Sequence, residues 1–123
     1  MYTLDTNAIL YYVSGDVSVR AVIDRALAES TPLYTSAVTI VELLRFQKLS
    51  AEEERGIRQF VSLCSVVNID ILIADSAASI GRMYNLKLAD SVIAATVLYT
   101  GSTLLTRNTK DFRRVPSLVL QKI

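Results

Sequence analysis

Leu88-Ala89-Asp90-Ser91-Val92-Ile93-Ala94-Ala95, running on to Gly101 and then to Thr103-Leu104-Leu105-Thr106, is the stretch that decides the fold of this 123-residue chain. The alanine-rich residues 87–100 predict a helix, and Gly101 stands where a C′ glycine closes one. The compact apolar run after it predicts a strand. An apolar helix that feeds directly into an apolar strand is a repeating unit of a parallel sheet covered on both faces.

The flanking sequence repeats that alternation. Tyr2 to Leu4 predicts a first strand. Val19, Val22, Ile23, Ala26 and Leu27 recur at helical spacing and predict a helix over roughly 18–30, which Pro32 ends. Leu33-Tyr34-Thr35 predicts a strand, and Ser36 caps a helix running to Leu49. Ser50 and Glu53 form a capping box for a further helix with Ile57, Phe60, Val61 and Cys64 on its inner face. The β-branched Val66, Val67 and Ile69 predict a strand, followed by a helix over about 71–84 that Asn85 closes. Val119-Leu120 supplies a last strand. No linker and no internal repeat interrupts the pattern. The expected fold is a single domain over residues 1–123, an α/β three-layer α/β/α sandwich with a central, mainly parallel sheet.

Composition narrows the chemistry sharply. The chain has no histidine and one cysteine, which removes histidine-based zinc sites, Ser-His-Asp triads, Cys-His dyads and any intrachain disulfide. Carboxylates, hydroxyls, amides, lysines or a bound metal must carry any catalysis. Thirteen basic residues oppose 12 acidic ones, so no overall field points to a nucleic acid or a membrane. Mean hydropathy is +0.37, yet no apolar run approaches the ~20 residues of a bilayer span. The start, Met1-Tyr2-Thr3-Leu4-Asp5, shows no basic region followed by an apolar one, and the chain reads as cytoplasmic. Cys64 reads as core, with no base or cation near it in sequence.

Four acidic positions depart from ordinary solvated charge. Asp5, in Asp5-Thr6-Asn7, follows the first strand, where open α/β sheets bind ligands; capping of the next turn is the plainer reading. Glu42 interrupts Val38-Thr39-Ile40-Val41-Glu42-Leu43 on a stripe shared with Val38 and Phe46, where a carboxylate is costly to desolvate; a salt bridge to Arg45 is its alternative. Asp90 lies in the first turn of its helix, favoured there by the helix dipole, on a face shared with Ile93, Ala94 and Val97. Asn108 and Asp111 lie in the loop after Thr106, which by itself is a polar turn. Gathered at one rim, such carboxylates repel one another and raise each other's pKa unless a cation sits among them. An all-oxygen donor set of this kind suits Mg²⁺ or Mn²⁺.

These segments carry a resemblance that spans nearly the whole chain. Leu4-Asp5-Thr6-Asn7, Ser36-Ala37-Val38-Thr39-Ile40-Val41-Glu42-Leu43, Ala89-Asp90-Ser91-Val92-Ile93-Ala94-Ala95 and Leu105-Thr106-Arg107-Asn108-Thr109-Lys110-Asp111-Phe112, in that order, resemble the PIN-domain ribonucleases. More narrowly they resemble the VapC-like toxins of toxin–antitoxin pairs. The resemblance implies an endoribonuclease dependent on Mg²⁺ or Mn²⁺, with Asp5, Glu42 and Asp90 as the acidic metal site. At the family's fourth position, Asp or Asn, this chain has Asn108, with Asp111 three residues on as a substitute. Thr6, Asn7 and Thr106 are implied to support the site or position substrate. The implied mechanism orients water for in-line attack on an RNA phosphodiester, with Asp111 or Glu42 moving the proton.

RNA contacts are expected from Arg107, Lys110, Arg113 and Arg114 beside the site, from Arg45 and Lys48 beyond Glu42, and from stacking on Tyr11 or Tyr12. The family further implies a small VapB-like antitoxin and a homodimer as partners, and no membrane. Two alternatives stand against this reading. One is a phosphoacceptor receiver-like signalling domain, for which Asp70 is a poor acceptor and Asp5 lacks an acidic neighbour. The other is a catalytically inactive PIN fold that only binds.

Overall fold

A computed structural model describes residues 1–123. Five strands, β1 (Tyr2–Leu4), β2 (Leu33–Ser36), β3 (Ser65–Val67), β4 (Thr103–Thr106) and β5 (Leu120–Lys122), form one sheet in the order β3-β2-β1-β4-β5. Every pairing is parallel, with Tyr2 opposite both Leu33 and Thr103. Seven helices connect or follow the strands: α1 (Thr6–Val13), α2 (Val17–Ala28), α3 (Ala37–Leu44), α4 (Ala51–Val61), α5 (Ile71–Tyr84), α6 (Leu88–Thr100) and α7 (Thr109–Phe112). No helix is long and apolar enough to cross a membrane.

The three layers follow from side-chain alternation along the strands. Leu4 and Leu105 belong to one core with Ile9 of α1, Val19 and Ile23 of α2, and Ile57 and Phe60 of α4. Leu104, pointing the other way, belongs to a second core with Ile73 and Ile80 of α5, Ile93 and Val97 of α6, and Phe112. The expected α/β/α sandwich is present, with a wholly parallel sheet.

Local signals hold where they are strongest. The Ser50–Glu53 capping box forms in both directions, at 3.0 and 3.3 Å. Asn85 (φ 53°) and Gly101 (φ 65°) close α5 and α6 in the left-handed region. Four expectations need correction. The segment after Asp5 is a full helix, α1, and the loop after Asn108 contains the short helix α7. The helix from Ser36 stops at Leu44 and does not reach Leu49, because the chain must reverse before the Ser50 cap; residues 45–49 make that turn, closed by the Leu49 N–H on the Phe46 carbonyl at 3.1 Å. The third strand ends at Val67, since Asp70 is occupied in capping α5 through the Ile73 N–H at 2.9 Å. That same role, together with a strand order that differs from the 2-1-3-4-5 of receiver-type folds, removes the receiver-like alternative.

Helices α5 and α6 meet at Gly81, where an added Cβ would lie 2.7 Å from Ser91 Oγ. Ser91 is held by its own bond to the Lys87 carbonyl at 2.8 Å and is the neighbour of Asp90. Gly81→Ala is therefore expected to destabilise the fold by about 1–2 kcal/mol, overpacking outweighing the gain in helix propensity. Thermal denaturation of the Gly81→Ala, Ser91→Ala double variant checks the cause: most of the loss should return.

Candidate active site

The strand order places β1 at the centre, with one crossover connection leading to β2 on one side and a later one returning to β4 on the other. The carboxyl ends of β1 and β4 thus form the topological switch point of the sheet, where such folds bind ligands. Asp5 stands immediately after β1 and is buried, with 4% exposure. It caps α1 by accepting the Ala8 N–H at 2.7 Å on one oxygen, and it accepts the Thr106 hydroxyl at 2.5 Å on the other. Thr106 closes β4 and itself accepts the Asn108 N–H at 2.9 Å. The capping and site readings of Asp5 are therefore compatible: the cap fixes the carboxylate at the switch point. Burial pushes the Asp5 carboxyl above its ordinary 3.8, the two hydrogen bonds draw it back, and the charge of Glu42 pushes it up again.

Glu42 reaches the same rim from α3. Thr6, the residue after Asp5, donates its hydroxyl to Glu42 Oε1 at 2.6 Å and lies 3.5 Å from the Thr39 hydroxyl. Glu42 is exposed, so desolvation on an apolar stripe does not describe it. Phe46 lies beyond the end of the helix and is 60% exposed. Glu42 forms no ion pair with Arg45.

Asp90 projects from the first turn of α6, half-buried, and takes no hydrogen bond that would stabilise its charge. Burial raises its pKa above 3.8, and the charges of Asp111, Glu42 and Asp5 raise it further; only Lys87 opposes them. Four carboxylates from four separate helix starts and faces thus share one electrostatic environment. Asp111, in the first turn of α7, is held by Arg114 at 2.9 Å and by the Asn108 amide at 3.1 Å, while Asn108 Oδ1 accepts the Asp111 N–H at 3.4 Å. No three acidic side chains stand close enough to hold an ion by themselves.

Two open clefts reach these acids. One, of about 350 Å³, is lined by Asn85, Leu86, Lys87, Asp90, Asp111 and Arg114. The other, of about 540 Å³, is lined by Glu42, Arg45, Phe46, Gln47 and Lys48. Each cleft sets cations beside its acids, Lys87 and Arg114 with Asp90 and Asp111, Arg45 and Lys48 with Glu42, a lining that can accept a phosphate alongside a cation. Lys110, Arg113 and Asn7 are exposed without a protein partner, whereas Arg114 also donates to the Asn85 carbonyl at 2.9 Å.

Arg107, Tyr11 and Tyr12 lie elsewhere. The Arg107 guanidinium donates to Asp16 at 2.7 Å and to the Ile123 carbonyl at 2.8 Å, and it covers the Tyr11 ring at 4.1 Å. Tyr12 packs on Phe60 at 4.4 Å and donates to Asp24. Cys64 lies against the core, its thiol pushed up to about 12 by burial. Two residues of the cleft stand outside the sequence-based site: Lys87, and Asn85, which the sequence marks only as a helix stop. Lys87 was legible, three residues ahead of Asp90 on the same helix start; Asn85 joins through its backbone carbonyl, which leaves no mark in a sequence.

The PIN domain family profile matches residues 2–118. Among solved structures, a toxin–antitoxin complex from Klebsiella pneumoniae is similar at 31% identity and a TM-score of 0.80, over 100% of both chains. FitAcB from Neisseria gonorrhoeae is similar at 26% identity and 0.79, over 98% of this chain and 97% of that one. VapBC2 from Rickettsia felis, bound to a DNA fragment from its promoter, shares the fold at 21% identity and 0.83, over 99% and 98%. No curated protein sequence matches the chain.

Proposed function

The chain belongs to the PIN domain family, and we propose that it is a metal-dependent endoribonuclease, VapC-like, acting in the cytoplasm as the toxin of a toxin–antitoxin pair. The observation that carries the reading is Asp90: a half-buried carboxylate without a hydrogen bond, surrounded by the charges of Asp111, Glu42 and Asp5. An arrangement that costs stability in this way is explained by a cation that it binds.

The donor set fits Mg²⁺ or Mn²⁺, being all oxygen and free of histidine and thiolate. Mg²⁺ keeps several waters and takes only one or two carboxylates directly, so the wide spacing of these acids suits it. Asp5 and Asp90 would hold the ion, with Glu42 and Asp111 completing its surroundings. A bound Mg²⁺ or Mn²⁺ supplies a Lewis acid that stabilises charge on the phosphodiester and acidifies a water ligand.

The chain's own residues do the rest. The Thr106 hydroxyl and the Ala8 N–H orient Asp5, and Thr6 holds one oxygen of Glu42. The other oxygen of Glu42 is free and exposed, which makes it the better placed proton acceptor. Both oxygens of Asp111 are engaged, by Asn108 and Arg114, so Asn108 serves Asp111 and the latter fills the fourth place. Lys110, Arg113, Arg45 and Lys48 meet the RNA phosphates.

The similar structure from Klebsiella pneumoniae is a toxin–antitoxin complex, which supports a small antitoxin as partner. A homodimer would cover apolar surface beside the edge strand β3, where Ile71 and Leu72 are 80% and 68% exposed. Incubating the purified protein with end-labelled single-stranded RNA tests the activity. Cleavage is expected with Mg²⁺ or Mn²⁺ and none with excess chelator; a chelator-resistant rate, or intact RNA under all metals, would sink the proposal. Mapping the cuts on total cellular RNA then names the target.

A further inference from the structure

Arg107 sits between two residues of the acidic site, yet faces away from it. Thr106 and Asn108, on either side, hold Asp5 and Asp111 through hydrogen bonds. Arg107 points to the opposite side of the strand end, and its guanidinium makes three polar bonds there. Nε donates to the Ile123 carbonyl at 2.8 Å, and Nη2 donates to Asp16 Oδ2 at 2.7 Å and to Ser18 Oγ at 3.2 Å. Its plane lies 4.1 Å over the ring of Tyr11.

Each partner belongs to an element that bears on the site. Tyr11 is on α1, the helix that Asp5 caps. Asp16 caps α2 by accepting the Val19 N–H at 3.2 Å on Oδ1, so its carboxylate is held independently of the arginine on Oδ2. Ile123 follows β5, and its own N–H returns to the Thr106 carbonyl at 3.3 Å. Asp5 and Thr106 join α1 to the end of β4 on the site's side; Arg107 joins α1, the start of α2 and the chain beyond β5 to the same point from behind. A planar fork that bonds a carboxylate, a hydroxyl and a backbone carbonyl from two of its nitrogens and stacks on a ring is a rigid tie that a lysine could not copy.

We propose that Arg107 is a positioning residue of the acidic site: paired with Asp16 and stacked on Tyr11, it holds Thr106 and Asn108 in register with Asp5, and it does not contact RNA. This rests on the nuclease reading above, but it is tested separately. Asp16 is the discriminating position, because its carboxylate reaches the site only through Arg107. Asp16→Asn keeps the α2 cap, for which Asn is as good as Asp, and removes the charge that Arg107 grips.

The experiment compares wild type with Arg107→Ala, Arg107→Lys and Asp16→Asn, well below their melting temperatures. Arg107→Ala and Asp16→Asn should each lower kcat on RNA about ten- to a hundredfold, with KM and the salt dependence of RNA binding unchanged. Arg107→Lys should recover only part of the loss, and the Arg107→Ala, Asp16→Asn pair should be no worse than Arg107→Ala. A phosphate-contacting arginine gives a different result: Arg107→Ala raises KM and lowers the salt slope by about 1, while Asp16→Asn is silent. That result overturns the proposal. Calorimetric titration with Mn²⁺ keeps it independent of turnover. Both variants should bind Mn²⁺ about 10-fold or more weakly, as when a support behind a ligand is lost. Unchanged Mn²⁺ affinity in both, or no Mn²⁺ binding by wild type, overturns it even if RNA proves not to be the substrate.

Discussion

Replacing Asp5 by Asn is expected to lower metal-dependent RNA cleavage by about 10²–10³-fold while leaving the fold intact, the loss typical when one group that stabilises developing charge is removed. Asn is the informative substitution because Asp5 has two roles. As the cap of α1 it accepts the Ala8 N–H at 2.7 Å, and an amide oxygen can do the same at little cost. As a site acid it carries a charge that an amide lacks. Asp5→Ala would remove both and cost about 1 kcal/mol of helix capping besides, so a lost activity could be laid to a shifted helix. The one local adjustment in Asp5→Asn is at Thr106, whose hydroxyl donates to Oδ2 at 2.5 Å and must turn to accept from the amide. Single-turnover cleavage with saturating Mn²⁺, beside circular dichroism and melting curves, checks both halves. Near-wild-type cleavage by Asp5→Asn would remove Asp5 from the site.

The layered fold was legible because its signals are local. The capping box at Ser50 and Glu53, the left-handed stops at Asn85 and Gly101, and the apolar run Thr103–Thr106 all act within a few residues. What escaped is short or lacks a period. Helix α1, Thr-Asn-Ala-Ile-Leu-Tyr-Tyr-Val, is apolar nearly throughout and shows no stripe from which a helix could be read. Helix α7 has four residues, fewer than a periodic pattern needs.

The site divides along the same line. That Asp5 and Asp111 follow strand ends can be read from order alone. How they are held cannot, since the bonds that do it span 36 residues from Thr6 to Glu42 and 101 from Asp5 to Thr106. Glu42 shows the consequence. Sequence periodicity marks it as a carboxylate on an apolar stripe, whereas the structure exposes it and ties it to Thr6. Arg107 shows the converse. In sequence it is one cation among several in a basic loop; only the fold supplies Asp16, 91 residues away, and turns it from the rim.

Asp90→Asn is expected to abolish cleavage and, without metal, to make the protein more stable. The Asp90 carboxylate takes no hydrogen bond, so an amide forfeits none; the burial cost of the charge and the repulsion from Asp111, Glu42 and Asp5 disappear and outweigh the lost attraction to Lys87 and the helix start. A gain of about 1 kcal/mol, ordinary for relieving strain at a functional site, raises Tm by about 3–5 °C in a domain of this size. The sign of the pH dependence follows from linkage. Asp5 and Asp90 have folded pKa values above the ordinary 3.8, so the native state binds their protons more tightly than the unfolded chain. Their effect is to add stability as pH falls from neutrality through the raised values. Asp16 acts in the opposite direction. The Arg107 guanidinium and the Ser18 and Val19 bonds hold its carboxyl down to about 2, so its contribution is present above about pH 4 and is lost between 3.8 and 2. These three groups together favour metal-free wild type in mildly acidic over neutral solution. Saturating Mg²⁺ or Mn²⁺ should reverse the neutral-side slope, since the ion competes with those protons; at 100 times its Kd it adds about 2.7 kcal/mol. Melting curves of wild type and Asp90→Asn from pH 2 to 8, with and without Mn²⁺, measure all of this. A variant that melts below wild type at neutral pH without metal would show that Asp90 is not a strained acid, one that still gains the full Mn²⁺ shift would show that it is not a ligand, and in either case the acidic rim would lose the observation on which its reading as a cation site rests.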